Sequence, residues 1–199
     1  AERLVVLTHR DVRTGITKQF IAVGDHLDIA ARQSAFEALA AYGMFPATLT
    51  TGGKSVRVTG LQASAQLLDL LRARPVLGRT FRAEDARDGA APVAILGHDL
   101  WQAQFGGDPH VVGRGVVISG RERHVVGVMP PGFAFPPNAG TQVILPFVLP
   151  AEAPADRKSL WTFAVARLKP DVSIEQATAD LALISGQLQE EYPRSNQAS

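Results

Sequence analysis

The stretch that most constrains the fold is the last one, SIEQATADLALISGQLQEE, residues 173–191. Ile174, Ala177, Leu181, Ile184 and Leu188 recur at helical spacing on one face. Ser173 stands where an N-cap hydroxyl accepts the amide three residues on, and Gln176 stands where a side chain reaches back to the cap. Glu190, Glu191, Tyr192-Pro193 and Arg194 mark the polar end. A helix that is apolar along one side needs a sheet or another helix to cover it. The rest of the chain has to supply that cover.

Upstream, the apolar runs are short and glycine and proline separate them. Leu4 to Leu7 and Lys18 to Val23 read as strands, with a glycine turn signal in VRTGIT at 12–17. Residues 25–32 and 35–42 read as two helices, handed over at a Ser34–Glu37 capping box and stopped by Gly43. Met44 to Thr50 and Ser55 to Leu61 read as a hairpin across Thr51-Gly52-Gly53-Lys54, whose glycines supply positive φ. Ser64 can cap a short helix, Ala65 to Leu71, which Pro75 forbids from continuing. A charged loop (82–89) precedes a buried strand, Val93 to Leu96.

Beyond a helix at Leu100 to Phe105, Val116 to Ser119 and His124 to Val128 form a second hairpin around Gly120-Arg121. MPPGFAFPPNAG, residues 129–140, holds four prolines and two glycines and can be neither helix nor inner strand. Val143 to Leu149 reads as a strand despite Pro146, which marks an edge or a break there, and PAEAPADRKS (150–159) as a linker. Leu160 to Leu168 reads as a strand alternating on Trp161, Phe163 and Val165. Helices near both ends and strands between them predict an α+β fold with a β-rich middle.

Composition sorts function classes. The 199 residues are 46% hydrophobic and 20% charged, enough to bury a core and unlike a disordered chain. Twenty basic against nineteen acidic residues leave a formal charge of +1, and the basic residues are scattered. Nucleic acid, which calls for a clustered basic surface, is therefore not an expected partner. Without cysteine there is no thiol chemistry, thiolate metal site or disulfide. No apolar run reaches the roughly 18 residues that a membrane helix needs.

The densest cluster of chemically suggestive residues is GHDLWQAQFGGDPHVVGRG, residues 97–115. In a phosphate-binding loop the glycines follow a strand and open a helix. Here the helix comes first: Gly106 stops it, and Asp108-Pro109 turns the chain toward the next strand. His98 or Asp99 is expected to cap that helix, and Trp101 and Phe105, four apart, to pack on its inner face. His9, His26, His98, His110 and His124 never pair at the three- or four-residue spacing of helical metal ligands. No glycine-x-serine-x-glycine elbow surrounds a serine, and Ser34, Ser64 and Ser173 each suit a cap. Glu84, Asp85 and Asp88 are read as solvated. The expectation is no catalytic, cofactor-binding or metal-ligating residue and no cofactor, with substrate-binding residues unassigned.

A resemblance takes the reading further. Pro75-x-x-Gly78-Arg79-x-Phe81, Pro92-Val93-Ala94-Ile95-Leu96-Gly97 and Leu100-Trp101 stand in an order similar to the MacB-like periplasmic core domain of ABC-transporter permeases. Phe105-Gly106-Gly107-Asp108-Pro109, Val112-Gly113-Arg114 and Val125-Val126-Gly127-Val128-Met129-Pro130 continue that order, and the resemblance runs from about residue 25 to about residue 195. Trp161 to Pro170 and Ser173 to Ala177 are similar to the family's return strand and last helix. The resemblance implies a split porter-like α/β subdomain, 1–63 plus 159–199, around an inserted β-rich subdomain, 64–158. A family member is expected to add a further strand after the last helix, and the porter-like half of this chain is expected to lack it.

By the same resemblance the domain sits outside the cytoplasm, in the periplasm at the inner membrane, between two transmembrane helices of its permease. Its implied partners are those helices, a cytoplasmic ATP-binding cassette subunit, a second permease copy as homo- or heterodimer, and a periplasmic adaptor or envelope protein. The expected role is non-catalytic: coupling ATP-driven helix motion to substrate extrusion, lipoprotein handover or activation of an envelope enzyme. The alternatives are a ligand-sensing or substrate-capturing module between two subdomains, and a standalone enzyme.

Overall fold

The structure, a computed structural model, describes residues 3–10, 17–149, 155, 157 and 160–193. In chain order it runs β1 (Leu4–Leu7), β2 (His9–Arg10), β3 (Thr17–Lys18), β4 (Phe20–Ala22), α1 (Val23–Arg32), β5 (Phe36–Thr51) and β6 (Lys54–Ala63). Then come α2 (Leu67–Leu70), β7 (Leu77–Gly78), β8 (Val93–Leu96), α3 (His98–Phe105), β9 (Gly115–Ile118), β10 (Arg121–Val128) and β11 (Val143–Pro146). The last elements are β12 (Leu160–Leu168) and α4 (Ile174–Glu191). This is a mixed α+β chain with far more strand than helix. By contact it divides into two units, Ala1–Tyr42 with Leu149–Ser199, and Gly43–Val148.

In the unit built from the chain ends, β12 is the central strand. One of its edges carries β1, with Leu4 opposite Arg167 and Leu7 opposite Ala164, and then β4, with Phe163 opposite Phe20. The other edge carries the first residues of β5, from Tyr42 opposite Phe163 to Phe36 opposite Leu168, all antiparallel. Leu7, Phe36, Leu39, Ala164, Ala166, Leu168 and Ala177 form the core. The sheet is thus the cover that α4 needs. Ser173 and Gln176 make the expected reciprocal cap: the Gln176 amide donates to Ser173 Oγ at 3.2 Å and the Ser173 amide to Gln176 Oε1 at 2.8 Å.

Three expectations for this unit are corrected. Residues 36–42 are strand, not helix, although Ala-Leu-Ala-Ala favours helix; pairing with β12 and burial of Leu39 to Tyr42 override that weak propensity. Ser34 caps no helix there; its amide and hydroxyl both donate to the Asp180 carboxylate of α4, at 2.9 and 3.0 Å. Ile174, expected on the covered face, is 59% exposed because it occupies the first turn of α4. The turn at 12–17 falls outside the described residues except for Thr17, as does most of 150–159 and the side chain of Trp161.

In the middle unit six strands pair in a ring. β5 neighbours β6, β6 runs parallel to β11, β11 antiparallel to β8, β8 parallel to β10, and β10 antiparallel to β9. β9 then returns to β5, with Ile118 opposite Leu49. Closure satisfies both edges of each strand, as in a small barrel whose interior side chains fill. Leu49, Leu96, Val111, Ile118, Val125 and Val128 fill it, and Leu100 and Phe105 of α3 join the same core. Gly52 and Gly53 make the β5–β6 turn with φ of 54° and 75°, as the sequence predicts. The expected strand at 143–149 ends at Pro146, and the expected helix at 65–71 is the single turn α2.

Candidate functional site

Several motif stretches that carry the resemblance meet beside β10. β7 pairs antiparallel with its end, Gly78 opposite Gly127, while β8 pairs parallel along its other edge. Backbones pass so close that a Cβ on Gly78 would collide with the Val126 carbonyl, and one on Gly127 would lie 2.6 Å from the Arg79 carbonyl. Gly78 also has φ of 73°. Immediately after it, Arg79 forks onto Asp85, donating at 2.6 Å to Oδ2 and 3.0 Å to Oδ1, and the Arg82 amide donates to the same Oδ2 at 2.7 Å. Burial raises the Asp85 pKa, but these hydrogen bonds outweigh it and hold the carboxyl below its ordinary value. Asp85 is therefore buried, against the expectation that its charged loop is solvated; it staples the turn after β7, while Glu84 and Asp88 are exposed as expected.

The stretch 97–115 is built like punctuation. α3 starts at His98 behind an extended Gly97, and neither His98 nor Asp99 caps it; the Gly97 carbonyl accepts the Trp101 amide at 3.0 Å. His98 Nδ1 instead lies 3.2 Å from Asp99 Oδ1, and its ring meets Trp101 edge-on. Gly106 ends the helix in the left-handed conformation. Trp101 Nε1 donates to the Asp108 carbonyl at 2.9 Å, and Asp108 Oδ1 accepts the His110 amide at 2.9 Å. Arg114 lies over the Phe105 ring. His98, Asp99, Trp101, Asp108 and Arg114 thus each have a local structural partner.

The other histidines are dispersed: His9 in β2, His26 buried in α1, His110 in a short turn and His124 in β10. Among the described residues no three His, Asp or Glu side chains cluster to hold a metal ion, and no helix is long and apolar enough to cross a membrane. In the unit of the chain ends, an apolar groove of about 500 Å³ runs between β1 and α4, lined by Val5, Leu7, Phe36, Leu168, Ile174 and Leu181. Sequence reasoning also missed an ion-pair cluster there, in which Arg157 reaches Asp25 and Asp28 of α1. The two acids three apart on one helix face were its only legible half, since Arg157 lies more than a hundred residues away.

Comparison with known proteins places this arrangement. The family model of the MacB-like periplasmic core domain matches residues 3–184. The periplasmic region of MacB from Actinobacillus actinomycetemcomitans is similar at 16% identity and a TM-score of 0.67, over 97% of this chain and 85% of that one. A domain of a putative permease from Porphyromonas gingivalis is similar at 18% identity and a TM-score of 0.73, over 98% and 85%. The extracellular domain of the noncanonic ABC-type transporter YknZ from Gram-positive bacteria is similar at 14% identity and a TM-score of 0.63, over 96% and 93%. At these identities the likeness speaks for the fold; comparison with curated proteins finds no match. With the family model spanning nearly the whole chain, the protein belongs to the MacB-like periplasmic core domains, the extracytoplasmic part of MacB/FtsX-like ABC-transporter permeases.

Proposed function

We propose that this domain has no catalysis of its own and couples motion of its permease's transmembrane helices to events outside the membrane. The observation that carries this is the pairing of residues 4–7 with 164–167. The first and last strands among the described residues are neighbours in one unit, with α4 packed on the same core. Two membrane helices flanking such a domain pull on a single hydrogen-bonded body, and a displacement of either is shared through β12. A close-packed body transmits strain because its interior is hardly compressible.

The porter-like half is read as the unit of the chain ends, and the inserted half as the barrel-containing unit. The seam is drawn where the contacts divide, at 42/43 and 148/149, instead of at 63/64 and 158/159. β6 moves to the inserted half on this reading because its partners are β5 and β11. The partners on this reading are the permease's own helices, a cytoplasmic ATP-binding cassette protein driving them, a second permease copy, and an adaptor or envelope protein that receives the motion. The test is deletion of the domain from the full-length permease, leaving the membrane helices joined by a flexible linker. ATP-dependent transport or signalling should be lost while the ATPase still binds the permease. Undiminished output would refute the coupling role.

A further inference from the structure

The cluster around Arg157 is built as a fastening. Arg157 precedes β12 and its side chain is only 7% exposed. Its Nη1 donates to Asp25 Oδ1 at 2.7 Å and its Nη2 to Asp28 Oδ2 at 2.5 Å, so one guanidinium grips two acids on a single face of α1. Its flat face lies 3.7 Å from the centre of the Tyr192 ring, at the C-terminal cap of α4. Arg32 adds a second link: it donates to Glu191 of α4 at 2.7 Å and lies 3.8 Å from Asp28. Arg157 Nε is buried with no hydrogen-bond partner among the described residues.

Only an arginine serves all three contacts. The fork matches two carboxylates and the plane stacks on a ring, whereas a lysine is a point charge that does neither. Burial alone would lower the Arg157 pKa, but the two carboxylates raise it above its ordinary value, so it stays charged.

We propose that Arg157 is a clasp that fastens the end of α4 and the start of β12 to α1, so that a displacement of α4's end is carried into α1. The use of the clasp rests on the coupling reading; its existence does not. The test is amide hydrogen exchange on the whole chain, followed site by site. Arg157→Met should speed exchange at least tenfold at the Tyr192 amide, which bonds the Leu188 carbonyl, and at the Gln33 amide, which bonds the Ile29 carbonyl. The β12 amides at 164–167 should stay as slow as before, and Arg157→Lys should fall between the two. Unchanged ends, or equal acceleration through β12, would overturn the clasp. Should Arg157→Met fail to fold, Tyr192→Ala cuts only the α4 side: the end of α4 should exchange faster while α1 stays protected, and any other pattern counts against the proposal. In the full-length permease, a loosened Arg157→Met variant with undiminished transport would refute the coupling reading and leave the clasp standing.

Discussion

His26 is 7% exposed in α1, and its Nδ1 has no hydrogen-bond partner among the described residues. Burial pushes its pKa down from 6.5 to about 4, so it is neutral in the folded chain near neutral pH. As pH falls through 6.5 the unfolded chain takes up a proton that the folded chain refuses until about pH 4. Stability therefore falls by about 1.4 kcal/mol per pH unit across that window, about 3 kcal/mol in all. Between pH 7.5 and 5.0 the chain should lose about 2 kcal/mol of urea-unfolding free energy from this residue. His26→Leu should remove that part of the slope, and an unaltered slope would assign it elsewhere. Asp85 acts at lower pH: its depressed pKa makes its contribution complete above the ordinary carboxylate range and lost as acid protonates it.

Among the elements, the contact of β7 with β10 makes the sharpest demand on sequence. Gly78 combines φ of 73° with a position where any Cβ would strike the Val126 carbonyl. Gly120, in the β9–β10 turn, has nearly the same φ of 78° but open space around it. Gly78→Ala should cost about 2–4 kcal/mol, from left-handed strain plus backbone displacement, and Gly120→Ala about 1 kcal/mol from the strain alone. Urea unfolding of both variants checks the difference, and equal costs would remove the steric argument. The elements also show where local pattern sufficed. Ser173 and Gln176 announced α4 because capping and 3.6-residue periodicity are local. Phe36 to Tyr42 misled because alanine and leucine prefer helix slightly, and only pairing with a strand about 125 residues away decides otherwise. Asp85 misled for a similar reason: its partner is legible only once β7 fixes where Arg79 points.

For the whole molecule, the two units differ in chain continuity. Gly43–Val148 is unbroken and carries its own core, whereas the other unit joins the two ends of the chain. The segment 43–148 made alone should therefore fold, with dispersed amide signals and a cooperative thermal transition; a molten, poorly dispersed spectrum would refute this. Residues 1–42 alone should not fold, since β5 and β1 lose β12 between them. By itself the sequence determined the class of fold, the position of α4, the Gly52-Gly53 turn and, through the order of its motifs, the family. The second turn falls at Ser119-Gly120, one residue before the expected Gly120-Arg121. The sequence also placed the helix stop at Gly106 and the turn at Asp108-Pro109, though not the start of α3. Tertiary structure decided which strands are neighbours, that β9 returns to β5 to close the ring, and that Arg157 meets Asp25, Asp28 and Tyr192. The physical reason is range: caps, turns and periodicity act within a few residues, while strand pairing and buried ion pairs join residues far apart in the chain.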